Sequence, residues 1–146
     1  MTRSCLPLLL ALVAGMACDD TSSGPALEGT IFVVEVVDEE FRIRLTDPVR
    51  IAQARRILNG QETPKIVTGP LAAGNGGFNL GWSWHLVPED THFAEFSIEL
   101  CDGKPSFVEE DLDYWLNTVG TFCPWSAIVV DEVPTTSLGT GPISGP

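Results

Sequence analysis

The sequence predicts a small α+β domain in which two helices pack on one antiparallel or mixed sheet. Three observations lead there. Apolar residues alternate with polar ones at 41–45 and again at 94–100, the period of a strand with one wet face. Two other stretches, 48–58 and 106–119, carry apolar residues at helical spacing between start and stop signals. The resulting order, β-β-α-β-β-β-α-β, sets strands beside strands, unlike the strict alternation of a parallel α/β fold. With 146 residues there is room for one core and not for two. Hydrophobic residues make up 44% and charged residues 19%, which excludes a chain disordered throughout.

From the amino terminus, Arg3, the apolar run Leu6–Val13 broken only by Pro7, and the small residues Ala14, Gly15 and Ala17 read as a signal peptide over 1–17. The run is short of the roughly 20 apolar residues that span a bilayer. Cys18, with Ala17 before it and Asp19-Asp20 after, resembles the acylated cysteine of a bacterial lipoprotein, with Gly15 and Met16 departing from the usual pattern. Residues 18–28 would then be a lipidated cysteine and a flexible tether, anchoring the protein to the cell envelope through lipid alone. Ordinary cleavage nearby would instead leave a secreted protein with a free Cys18. Cys5 leaves with the signal, so Cys101 and Cys123 remain as one pair, either bridged or as two buried thiols.

The folded domain is expected over 29–133, followed by a disordered tail over 134–146. Thr30–Val37 is nearly continuous in apolar and β-branched residues, as in a strand buried on both faces. Asp38-Glu39-Glu40 turns the chain, and Phe41, Ile43 and Leu45 alternate with Arg42 and Arg44, completing a hairpin. Asp47-Pro48 opens a helix that Asn59-Gly60 closes, with Ile51, Ala54, Ile57 and Leu58 on one side. Residues 63–81 are glycine-rich and read as loop, apart from a short strand at 65–71. Strands follow at 82–87 and 91–101, joined at Pro88-Glu89. Ser106 and Glu109 have capping-box spacing, and Val108, Leu112, Trp115 and Val119 line one face of a helix that Gly120 ends. Residues 127–133 form the last strand.

Taken together, FRIRLTDPVRIAQARRILNGQE, WSWHLVPED, FAEFSIELCDGKPSFVEEDLDYWL and FCPWS resemble the amino-terminal domain family named after a calmodulin-binding protein called BP-seventy-four, over about Gly29–Val133. The resemblance rests on the joint order of D-P-x-x-I-x-x-A-R, W-S-x-H-L, E-x-C-D and C-P-W. It implies no catalytic residue. Calmodulin is a poor partner: its targets are basic amphipathic helices, and only 48–58 carries several arginines in a chain of net charge −12. The same charge excludes nucleic acid as a partner.

Two constellations carry the candidate chemistry. If Pro88-Glu89 is a two-residue turn, His85 faces His92 across about 5 Å, and Asp90 completes a possible metal set. Trp82 and Trp84 share one strand face beside the glycine-rich loop and Phe78, a candidate platform for a protein or carbohydrate, or alternatively core. Glu95 and Glu99, about 13 Å apart along a strand, are too distant to act as an acid–base pair, and pairing with Arg42 and Arg44 is the expected use. No G-x-S-x-G, phosphate loop or dinucleotide fingerprint is present, and no cofactor is called for. The reading is therefore an exported or envelope-anchored, non-catalytic binding or accessory domain. The alternatives are an extracellular protease inhibitor presenting 63–81 and a small metal-dependent enzyme centred on His85 and His92.

Overall fold

The computed structural model describes residues 28–134, so the expected signal peptide, Cys18, most of its tether and nearly all of the tail lie outside the described residues. Strands β1 (Thr30–Val36) and β2 (Glu39–Leu45) form an antiparallel hairpin in which Val36 faces Glu39 and Thr30 faces Leu45. The turn is Val37-Asp38, one step earlier than expected, and Val37 holds φ at +65°. Strand β7 (Ala127–Glu132) pairs with the other side of β1, giving a three-stranded sheet in the order β2-β1-β7. Phe32, Val34, Val36, Phe41, Ile43 and Leu45 are buried on its inner face. The outer face is wetter than expected, since Val33 and Glu35 of β1 are only half-buried.

Helix α1 (Pro48–Leu58) begins and ends as its signals predict. The Asp47 carboxylate accepts the Val49 N–H at 2.8 Å, Pro48 takes the first turn, and Asn59 caps the end. Ala54 and Ile57 enter the same core as the first sheet.

The second sheet is built on β3 (Ile66–Ala73), which local composition reduces to a short strand. Strand β4 (Trp84–Leu86) pairs with its carboxyl-terminal half, β5 (His92–Ala94) with its amino-terminal half, and β6 (Thr121–Phe122) with Gly69 and Pro70 between them, all antiparallel. The expected hairpin between 82–87 and 91–101 does not form. Strands β4 and β5 lie on opposite sides of β3, in the order β4-β3-β5, so the chain between them passes across β3. The excursion is tied down at Val87, whose carbonyl accepts the Asp90 and Thr91 N–H groups at 3.1 and 3.0 Å and the Thr91 hydroxyl at 2.7 Å. Arg50 of α1 donates to the Glu89 and Thr91 carbonyls, both at 2.9 Å. Thr91 crosses Gly69 so closely that a Cβ there would meet Thr91 Oγ1 at 2.9 Å.

The second helix is broken where a continuous one was expected. Helix α2 (Pro105–Glu110) ends at Asp111, whose φ of −135° and ψ of 58° interrupt it, and α3 (Leu112–Tyr114) restarts into a π-turn over Trp115–Val119. Ser106 is not the N-cap. Its N–H and hydroxyl both donate to the Glu39 carboxylate at 2.7 Å, so β2 supplies the cap that the capping box was expected to provide. Cys101 and Cys123 are joined by a disulfide. Between the sheets, Trp84 packs against Phe41 and Phe122 at 5.6 and 5.3 Å between ring centres, and Phe122 against Trp115 at 5.8 Å.

Candidate functional site

The expected aromatic platform is part of the interior. Trp84 and Phe78 are buried, and Trp82 is half-buried with its Nε1–H donated to the Glu40 carbonyl at 2.9 Å. The glycine-rich loop gives these residues a structural task. Strand β2 is an edge strand, and an edge leaves backbone donors and acceptors without partners. Buried Asn79 accepts the Arg42 N–H at 2.8 Å and donates to the Trp84 carbonyl at 2.9 Å, while Trp82 takes up Glu40. The loop is thus folded over β2. Gly76, at φ +61°, lets it pass where a Cβ would meet Phe78 and His85 at 2.7 and 2.9 Å.

His85 and His92 are not brought together. His85 faces Ala72 and donates from Nδ1 to the Gly74 carbonyl at 2.6 Å; His92 faces Thr68 and donates from Nδ1 to the Asp90 carbonyl at 2.8 Å. Strand β3 lies between the strands that carry them, β4 and β5. Among the described residues no group of three or more His, Cys, Asp or Glu could hold a metal ion. The expected pairing of Glu95 and Glu99 with Arg42 and Arg44 is also absent. Glu95 pairs with Lys65, and the Arg44 guanidinium lies over the Phe78 ring at 5.1 Å.

The displaced protonation equilibria belong to structural ion pairs. Hydrogen bonding to Lys104 holds the Asp38 carboxyl below the usual range, and the same bond raises Lys104. Arg55 of α1 likewise lowers Glu132 of β7. These pairs join parts of the chain distant in sequence, Asp38 with Lys104 and Arg55 with Glu132.

What the sequence reading missed lies immediately after β5. Continuing its register sets Glu95 opposite Lys65 and Phe96 opposite Pro64, which has no N–H to offer. The ladder ends at Ile66–Ala94, the Lys65–Glu95 ion pair follows, and the chain leaves the sheet. Residues expected in the core then face solvent: Phe96 is 86% exposed, Ile98 66% and Leu100 54%. Between them Ser97 turns inward, its hydroxyl 3.3 Å from Cys101 Sγ. Ile98 is extended, at φ −85° and ψ 150°, before a 3₁₀ turn over Glu99–Cys101. The Ile98 carbonyl oxygen rests 3.4 and 3.5 Å from the two bridged sulfurs, which carry no proton to donate. Among the described residues, no backbone hydrogen bond links Phe96 or Ser97 to another backbone group.

Residues 95–101 thus form a strap outside the sheet that ends in the 3₁₀ turn, held at one end by the β5–β3 pairing with the Lys65–Glu95 ion pair beside it and at the other by Cys101–Cys123. Trp125, 49% exposed, lies beyond the second anchor with its N–H donated to Asp102 at 2.8 Å. Pro64 and Cys101 are the signals that could have located the strap, one ending the ladder and the other fixing the far end.

No curated protein and no solved structure matches the chain. The family model described as the BP-seventy-four N-terminal domain matches residues 28–136, which takes in every described strand and helix, and the chain belongs to that family.

Proposed function

We propose that the protein is an exported, non-catalytic binding domain, held at the cell envelope by acylated Cys18, that captures a protein partner along the strap 95–101. The observation that carries this reading is the exposure of Phe96, Ile98 and Leu100 on one short segment with both ends fixed. Burying an apolar side chain of this size is worth roughly 1.5–3 kcal/mol. Three left in water forgo several kcal/mol in a domain whose total stability is of order 10. Contiguous apolar exposure of this kind marks an interaction surface. A carbohydrate partner is disfavoured because the candidate stacking rings, Trp82 and Trp84, are committed to the β2 edge and the core.

Site-specific photocrosslinking in the producing cell tests the reading. A photoreactive phenylalanine at position 96 or 98 should give a discrete protein adduct, and one at Val130, exposed on β7 away from the strap, should give none. Absence of an adduct from both strap positions would sink it.

A further inference from the structure

We infer that the strap is a substrate-like ligand for the active-site cleft of an extracellular endopeptidase with an apolar primary pocket, and that Phe96 enters that pocket; this rests on the binding reading above. A peptide captured in such a cleft lies extended, exchanges backbone hydrogen bonds with an edge of the host, and places alternate side chains in pockets. Residues 96–98 offer several of these features. Ile98 is extended, the Phe96 and Ser97 backbones have no backbone partner within the described residues, and Phe96 and Ile98 project two residues apart. Ser97, turned toward the disulfide, would follow Phe96 at the position just past the pocket.

The two anchors make the strap a ligand and not merely a substrate. A segment fixed in its bound shape has already lost most of the conformational entropy that a flexible peptide loses on binding. The β5–β3 pairing and the Cys101–Cys123 bridge would also hold both sides in place if the Phe96–Ser97 bond were cut.

Other occupants fit less well. A second copy adding antiparallel to the strap about Ser97 would bring Glu95 of each copy against Glu99 of the other in a chain of net charge −12. Insertion into a bilayer would take the exposed carboxylates beside Phe96 and Leu100 out of water. A cleft with separate pockets accepts the apolar side chains and leaves the carboxylates solvated.

The test uses the mature exported chain against chymotrypsin and subtilisin, whose primary pockets are apolar, and trypsin, whose pocket holds a carboxylate. Inhibition of the first two should show a Ki below about 1 μM, with trypsin about 100-fold less sensitive. Phe96→Ala should weaken inhibition about 100-fold with melting unchanged, and Phe107→Ala, exposed but outside the strap, should leave it intact. Phe96→Lys should transfer inhibition to trypsin. Rapid cleavage at Phe96–Ser97 without inhibition, or inhibition that Phe96→Lys fails to redirect, overturns the inference. No inhibition alongside a persistent crosslink from position 96 overturns it too, while leaving the protein-binding reading in place.

Discussion

Replacing Asn79 by alanine removes two hydrogen bonds from a side chain with no exposed surface, and both lost partners are backbone groups that nothing else reaches. The Arg42 N–H and the Trp84 carbonyl would each be left inside without a partner, a penalty of about 1–3 kcal/mol apiece. Allowing for partial access at Arg42, Asn79→Ala should cost about 3 kcal/mol. Unfolding entropy of about 2.1 cal/mol/K per residue turns that into a fall in Tm of about 13 °C for a domain this size. Urea titration followed by tryptophan fluorescence reads the change. A loss below about 1 kcal/mol would mean that the loop is not completing the β2 edge. Asn79→Asp sharpens the test. An ionised carboxylate there would be desolvated and would face the Trp84 carbonyl, so its folded pKa must rise above the unfolded value near 3.9. The folded state then keeps a proton that the unfolded state releases, and stability falls as pH rises toward and through the folded pKa. The gap between Asn79→Asp and the unsubstituted protein should therefore narrow from pH 7 to pH 4. A gap that widens on acidification refutes the assignment.

Three further outcomes rest on the same structure and a fourth on the amino-terminal sequence. Joint replacement of Cys101 and Cys123 by serine frees a loop closed across a separation of 22 residues and should cost about 3 kcal/mol by denaturant titration. Val37→Gly should stabilise by about 1 kcal/mol by the same assay, because a β-branched residue is strained at a φ of +65° and glycine is not. Trp82→Phe should cost about 1 kcal/mol through its lost bond to Glu40, whereas Trp84→Ala, which empties the aromatic core, should cost about 3–5 kcal/mol; calorimetry separates the two. Mass spectrometry of the membrane fraction should find acylated Cys18 at the mature terminus, and Cys18→Ala should release the protein into the soluble fraction.

Local signals were legible in the sequence wherever the structure depends on nearby residues. Asp47-Pro48 and Asn59-Gly60 bracket α1 because caps and stops act within one turn of chain. Strand β3 matches the strand expected at 65–71 and runs two residues further, although Gly69 and Pro70 argue locally against a strand. In the fold Gly69 makes room for Thr91, and the Pro70 carbonyl accepts the Val87 N–H at 2.9 Å. Both reasons lie across the sheet, out of reach of a local reading. Helix α2 shows the same division: Ser106-x-x-Glu109 has the right spacing, yet Glu39 reaches Ser106 first and Glu109 goes instead to the Ser83 N–H at 2.8 Å.

The candidate site was hidden by the pattern that revealed the sheets. Alternation at 94–100 says that side chains point alternately to opposite sides of an extended chain, and this holds both for a strand in a sheet and for a strap outside one. Which side becomes core depends on whether a partner strand continues beside it. For Ala94 the partner is Ile66; for Phe96 it would be Pro64, and there the ladder has already ended. For Trp82 and Trp84 the core alternative holds, and the reason lies in the unpaired edge of β2, which needs the glycine-rich loop beside them. Residues with the look of a core strand thus stand in water, while the tryptophans beside the glycine-rich loop complete an edge and the core.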